Sequence, residues 1–146
     1  MATYSFMDVT ASLTGPTGVV DLGFGAAVTK EGITVSLANA RNTMTVGADG
    51  EGMHSLKADK SGTVTVRLLY TSPVNAKLQA LYNAQALSSS LWGNNVITIR
   101  NKGNGETTVC RSCAFQKQGD ITYSEEGQMR EWVFDCVKID TVTGEY

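Results

Sequence analysis

The chain has 146 residues, enough for one domain with a sizeable hydrophobic core and too few for two ordinary domains. Hydrophobic residues make up 42% of the chain and its formal net charge is −2, which argues against a disordered protein and against a nucleic-acid-binding protein with a basic face. The sequence lacks a secretory signal pattern and any run of the roughly 18 apolar residues needed for a membrane span, so folding in a cytoplasm is expected.

The first half of the chain predicts strands separated by glycine-containing turns. Extended segments at 4–13 and 19–28 flank the turn sequence Gly15-Pro-Thr-Gly18. Regular alternation of apolar and polar residues predicts three further strands, at 33–37, 43–46 and 62–70.

A long loop is predicted at about 47–61. Three glycines within 47–52 favour a flexible or sharply turning backbone, and the apolar residues Met53 and Leu56 follow them. Long loops in small domains are usually functional or become ordered on binding. A mobile surface loop without a partner remains the alternative.

One helix is predicted over about 73–88. Ser72 supplies an N-cap oxygen, and Pro73 occupies the first helical position, where its missing N–H is harmless. The spacing of Val74, Leu78 and Leu81 places them on one face, which should pack across a sheet. The predicted fold is therefore α+β but mainly β: one domain over residues 1–146, an antiparallel β-sandwich or barrel with one flanking helix.

The second half returns to strands at 96–100, 107–115 and 130–140. Cys110 and Cys113 lie three apart in the second of these, and such residues in a regular strand point to opposite faces. Their sulfurs are therefore expected to diverge, and with Cys136 they are interpreted as small buried thiols rather than a metal or redox site.

No catalytic residue, cofactor site or metal site is predicted. His54 is the only histidine, and it lies in the glycine-rich segment without an identifiable partner. Asp49 and Glu51 flank a glycine as in an acidic calcium loop, but the remaining ligands of such a loop are missing. An enzyme is therefore the least favoured class.

Self-assembly is a more specific hypothesis. Strands of about 10 residues reach about 33 Å, and a domain this small has little material to cover their edges. A closed ring of copies would pair those edges. The residues alone leave open a self-contained sandwich with short, protected edges.

Several segments resemble a family of tail tube proteins from contractile-tailed bacteriophages and prophages. The opening segment 1–16 carries this resemblance, as do Thr71-Ser-Pro-Val-Asn-Ala-Lys77 and Leu91-Trp-Gly-Asn-Asn95. Further similar segments occur in the same order along the chain, at 47–55, 132–135 and 137–140. The resemblance covers essentially the whole chain.

The resemblance implies a fold shared with the tube proteins of type VI secretion, and a structural role. Subunits of this kind form hexameric rings that stack into a hollow tube, with long hairpins building an inner β-barrel. The implied partners are other copies of the chain, a tail sheath protein, a baseplate or initiator protein and a tail terminator. The implied location is the virion tail, assembled in the cytoplasm of the bacterial host, with phage DNA passing through without specific binding.

Two sets of residues are expected to serve this role. The segment after residue 46 should contact a neighbouring subunit or ring through Gly47, Asp49, Glu51, Met53, His54, Leu56 and Lys57. Because a basic wall would hold DNA, some acidic residues should face the channel; the candidates are Asp8, Glu106, Asp120, Glu131 and Asp135. Four strands from each of six copies would leave a channel of about 38 Å, wide enough for a duplex of about 20 Å.

Two other interpretations remain open. A phage-like bacteriocin or injection machine could use the same tube without passing DNA. A monomeric β-sandwich binding module, with the glycine-rich loop as its ligand site, is the alternative outside the tube class.

Overall fold

The computed structural model describes all 146 residues. A short 3₁₀ helix, Phe6–Asp8, precedes the first strand. The strands in chain order are β1 Val9–Gly15, β2 Gly18–Asp21, β3 Val28–Leu37, β4 Asn42–Val46, β5 Gly52–Leu56, β6 Gly62–Leu69, β7 Asn95–Asn101, β8 Glu106–Lys117 and β9 Met129–Val142. The single α-helix, α1, is Val74–Gln85 and lies between β6 and β7.

Seven strands form one antiparallel sheet in the order β2-β1-β7-β8-β9-β6-β3, and β4 and β5 form a separate two-stranded hairpin. The mainly β fold with one helix is thus confirmed. Within the long loop predicted at about 47–61, the expectation of loop structure was wrong for Gly52–Leu56, which forms a strand paired with β4 along its whole length. The sequence hides this strand because Gly52, His54 and Ser55 are not strong strand formers.

The sheet curls so that both of its ends contribute to one core. Leu13 of β1, Val66 of β6 and Leu78 of α1 belong to the same buried cluster. Phe115 lies at its centre, with its ring centroid 4.8 Å from that of Phe134. The rings of Tyr82, Trp92 and Trp132 also surround Phe115. The single curled sheet therefore encloses a hydrophobic core of the kind that two packed layers usually form.

Helix α1 lies over the core as its pattern predicts. Val74, Leu78 and Leu81 are buried. Pro73 occupies the N-cap position, and the Ser72 hydroxyl before it accepts a hydrogen bond from the Val74 N–H at 3.3 Å and donates one to the Ala26 carbonyl at 2.6 Å, which anchors the start of the helix. The indole N–H of Trp132 donates to the Asn75 side chain at 3.1 Å, which joins the helix to β9.

The expectation that Cys110 and Cys113 point apart was wrong. Both side chains are fully buried on the core face of β8. Ser112, between them, has a φ of +53°, a left-handed conformation that breaks the alternation of the strand. The neighbouring strand β9 also breaks its alternation of buried and exposed residues at this point, because the consecutive residues Val137 and Lys138 are both exposed. As a result the three cysteines are buried in one cluster, as free thiols.

A buried pair of amides connects the end of the helix to the sheet. The side chains of Gln85 and Asn95 exchange two hydrogen bonds, each of 2.8 Å, and neither residue is accessible to solvent. A side chain at Gly15 would overlap the Asn95 amide, so glycine is required at this position. Each amide satisfies the polar atoms of the other, so neither can be lost alone without leaving a buried group unpaired.

We predict that Gln85→Leu lowers the free energy of unfolding by about 2 kcal/mol, because it leaves the buried Asn95 amide without its hydrogen-bond partner. Urea denaturation followed by circular dichroism measures the change. The control is Asn83→Leu, at an exposed amide on the same helix, which should change stability by no more than about 0.5 kcal/mol. Equal effects of the two substitutions would contradict the role given to the buried pair.

Candidate assembly surfaces

The β4–β5 hairpin and the segments that join it to the sheet form an arm, residues 38–61. Every residue of β4 and β5 is exposed, so the hairpin has no core of its own. An isolated two-stranded hairpin is marginally stable in water at best. The arm therefore lacks the packing partner that hairpins of this kind need.

Hydrogen bonds hold the base of the arm in line with β3 and β6. The Ala38 N–H donates to the Ser61 carbonyl at 2.9 Å, and the Lys57 N–H donates to the Arg41 carbonyl at 2.8 Å. The Arg41 guanidinium donates back to the Lys57 carbonyl at 2.8 Å. Because β3 and β6 also pair with each other, the arm continues their ribbon beyond the sheet.

The Asp59 carboxylate strengthens this base. It accepts hydrogen bonds from the hydroxyl and N–H of Ser61, at 2.6 and 2.9 Å, and from the Asn39 amide at 2.9 Å. These bonds, first those from Ser61, lower the pKa of Asp59 to about 2. The charged form of the carboxylate is thus the one that fits the folded arm.

The predicted contact residues occupy three parts of the arm. Gly47, Asp49 and Glu51 build the turn, in which the Asp49 carboxylate accepts the Glu51 N–H at 3.2 Å. Lys57 lies at the base. Met53, His54 and Leu56 lie on β5.

The register separates the two predicted apolar anchors. Leu56 lies opposite Asn42, on the same face as Met44 and Val46, whereas Met53 points to the other face beside threonines. Met44, Val46 and Leu56 are 60%, 56% and 80% exposed. These three define the apolar face of the arm. The prediction from sequence missed Met44 and Val46, although their alternation was visible, because their pairing with β5 was not.

A second surface is the solvent face of β3, β6, β9 and the end of β8, here called the polar face. The register places Ser36, Thr63 and Asp135 side by side across three strands, and Arg67 beside Glu131, with their side chains 3.2 Å apart. Next to the free edges, the side chains of the polar face are Thr34, Ser36, Thr63, Thr65, Arg67, Gln116, Glu131, Val133 and Asp135, and Lys138 and Asp140 continue it along β9. Short hydroxyl side chains and nearly balanced charges give a smooth, weakly charged surface.

This section of sheet has two free edges. β3 pairs only with β6, so its outer edge has no partner. β8 pairs with β7 as far as Cys113, and from Ala114 to Lys117 it pairs with β9 alone. Unpaired strand edges are sites where another chain can add.

The five candidate channel residues lie in different places. Glu131 and Asp135 share the polar face, and Asp120 lines the same surface depression as Glu131. Glu106 follows the opposite alternation and lines a cleft near the N-terminus. Asp8 ends the 3₁₀ helix, where its carbonyl accepts the Lys102 N–H at 2.9 Å. The structure thus brings together three of the five.

No arrangement of catalytic groups surrounds His54. Its ring nitrogen is 3.2 Å from the Asn42 amide, and both groups are exposed. No cluster of three or more histidine, cysteine or acidic side chains is placed to hold a metal ion. The one α-helix lacks the length and apolar character required to cross a membrane. The notable surfaces are therefore the arm, the free edges and the polar face.

Comparison with solved structures gives the class of fold. The chain is similar to a protein in the sheath-tube complex of an extracellular contractile injection system, PVC, in its extended state, with a TM-score of 0.63 and 11% identity over 97% of this chain and 92% of that one. It is also similar to a protein in the six-fold symmetrised baseplate of the anti-feeding prophage, with a TM-score of 0.61 and 11% identity over 97% and 96%. At such identities the likeness establishes the fold alone.

The sequence gives the family. Residues 1–144 match the model of the bacteriophage PhiTE tail tube protein family, and the chain belongs to that family. The resemblance found in its sequence segments is thereby confirmed. No curated protein sequence matches the chain.

The acid titration of Asp59 tests the structure of the arm base. Because its folded pKa lies below the unfolded value of 3.8, its stabilising contribution is complete above about pH 4 and is lost as pH falls toward 2. We predict that the amide NMR signal of Ser61 shifts with a midpoint near pH 2. Asp59→Ala should abolish the shift, while Asp49→Ala at the turn should leave it unchanged. A midpoint near 4 would show that the base is open.

Proposed function

We propose that this tail tube protein forms six-membered rings that stack into a hollow tube, around which a contractile sheath assembles and through which phage DNA leaves the particle. The observation that carries the proposal is the arm: ten strand residues paired only with each other and exposed throughout. The family match and the fold shared with sheath-tube and baseplate structures support it.

Ring closure uses the two free edges. The outer edge of β3 on one subunit pairs with the Ala114–Lys117 end of β8 on the next. These edges bound a section of four strands, β3-β6-β9-β8, so six copies supply 24 strands to a common inner wall. A β-barrel of that size has room for a DNA duplex.

The arm reaches a neighbouring subunit and buries its apolar face there. Removing Met44, Val46 and Leu56 from water contributes about 1.5–3 kcal/mol for each side chain that is fully covered. Many other large apolar side chains are also exposed, among them Val19, Phe24, Leu37, Leu87, Tyr123 and Val142. So much exposed apolar surface on one small domain favours an assembled protein over a solitary one.

The polar face lines the channel. Glu131 and Asp135, with Asp120 beside them, stand against Arg67 and Lys117, and further along β9 the same face carries Lys138 and Asp140, so acidic and basic groups nearly balance. A surface that is neutral to weakly acidic neither attracts the phosphate backbone nor forms a fixed set of contacts with bases, so DNA can slide along it. The tail sheath, baseplate and terminator proteins would contact the outside and the two ends of the tube.

A second candidate is the tube of a phage-like injection machine that carries no DNA. The similarity to proteins of extracellular contractile injection systems and of the anti-feeding prophage favours it. The same rings and arm would serve, and only the cargo would differ. Sequencing of nucleic acid from purified particles separates the two candidates.

Substitutions on the arm test the assembly. We predict that Met44→Asp and Leu56→Asp each raise the protein concentration needed for tube formation at least about tenfold, because a charge then replaces a buried apolar contact. Negative-stain electron microscopy across a concentration series measures it, with ring averages expected to be six-fold. The unfolding midpoint of the free subunit should stay unchanged, since the arm contacts no core.

The matched control is Thr43→Asp, which puts the same charge on the opposite face of the same hairpin. It should impair assembly less than either apolar substitution. If Met44→Asp and Leu56→Asp assemble at the wild-type concentration, the arm does not dock as proposed. If the wild-type protein yields only monomers at every concentration, the proposed self-assembly through the arm and the free edges is contradicted.

The channel assignment is tested by charge reversal. We predict that tubes of Asp135→Lys bind a short DNA duplex at least about tenfold more tightly than wild-type tubes at low salt, and that the difference fades as salt rises. Asp21→Lys, at an exposed carboxylate on the far edge of the sheet, is the control and should change binding little. Equal binding by the two variants would place Asp135 outside the channel.

A further inference from the structure

Two of the buried cysteines are placed for a covalent bond. Cys113 of β8 lies directly opposite Cys136 of β9, and their Sγ atoms are 2.8 Å apart. Residues directly opposite each other in an antiparallel pair have Cα atoms about 4.5–5.5 Å apart, within the range that disulfides require. A disulfide bond of about 2.05 Å needs the sulfurs to approach by only about 0.8 Å more.

We propose that Cys113 and Cys136 form a disulfide under oxidising conditions and that Cys110 stays a free thiol. The Cys110 thiol also contacts that of Cys136, but Cys110 lies opposite Ile139, whereas Cys113 lies directly opposite Cys136. It lies in the same strand as Cys113, on the other side of the left-handed Ser112. The direct cross-strand pair, with sulfurs already 2.8 Å apart, is thus the one best placed to close.

The oxidant is a low-molecular-weight disulfide such as oxidised glutathione. One cysteine, as its thiolate, attacks a sulfur of the oxidant, forms a mixed disulfide and releases one glutathione thiol. The second cysteine then attacks the mixed disulfide and releases the other. The protein loses two protons and two electrons, and the oxidant is reduced to two thiols. Because both sulfurs are buried, the reaction proceeds during brief opening of the β8–β9 pair.

The bond would lock the hairpin that carries part of the polar face. It closes the chain between residues 113 and 136, which contains the free end of β8, the connecting segment and the start of β9 with Glu131 and Asp135. Thiols stay reduced in a bacterial cytoplasm, where the chain folds, and are oxidised outside it. The crosslink would therefore form after release of the protein, and it stands independently of the number of subunits in a ring.

Mass spectrometry of the native protein treated with oxidised glutathione tests the proposal. We expect a mass loss of about 2 Da and one linked peptide pair, Cys113 with Cys136, with a rise of about 5–10 °C in Tm. Cys110→Ala should retain the crosslink, whereas Cys113→Ala and Cys136→Ala should lose it. If a variant fails to fold, peptide mapping of the wild-type protein decides alone.

The same oxidation in concentrated urea is the reference for an unfolded chain, in which all three cysteines compete and the neighbours Cys110 and Cys113 can pair. A native pattern that matches the urea pattern would overturn the proposal. So would a native protein that keeps three thiols, or one that carries only bound glutathione.

Discussion

Backbone hydrogen-bonding groups along a strand need partners, and in this chain some of them have none within the subunit. The outer edge of β3 and the last residues of β8 end the ladder of the four strands that carry the polar face. The hairpin that extends from β3 and β6 has pairing but no packing. In a monomer, the unpaired edges and the unpacked hairpin would be exposed to water. An exposed strand edge also allows uncontrolled addition of other chains. The proposed closure of subunits into rings would remove both deficits at once.

The interior of the subunit provides a rigid support for these incomplete surfaces. Phe115 and the aromatic rings around it fix β8 and β9 to helix α1, and the amide pair of Gln85 and Asn95 fixes the end of that helix to β7. The arm, by contrast, is attached only at its base, where Asp59 is the main polar anchor. A stable core with a weakly supported extension suits the proposed function, in which the subunit folds alone and then joins copies of itself.

Much of the fold could be predicted from the sequence because local patterns determine it. Helix α1 follows from its periodic apolar residues and from Ser72 and Pro73, and β6 follows from its alternating valines. What could not be predicted depends on partners distant in sequence. The strand of Met53 and Leu56 exists because β4 pairs with it.

The same limit applies to the orientation of side chains. Cys110 and Cys113 point to the same face because the backbone of Ser112 is left-handed, and no pattern in the neighbouring residues predicts that conformation. Among the acidic candidates, Glu131 and Glu106 have similar sequence surroundings but point to opposite faces of the sheet. A shift of one residue in strand register is enough to move a side chain from one face to the other. Membership of the tail tube family, in contrast, was visible in short segments spread over the whole chain.

The central claim is that copies of the chain complete its free edge and its arm. Amide hydrogen exchange, compared residue by residue between free subunits and assembled protein, tests it most directly. The account predicts that amides on the outer edge of β3, and those of β4 and β5, exchange at least about tenfold more slowly after assembly, while amides between β6 and β9 change little. Equal exchange in β3, β4 and β5 before and after assembly would contradict the account.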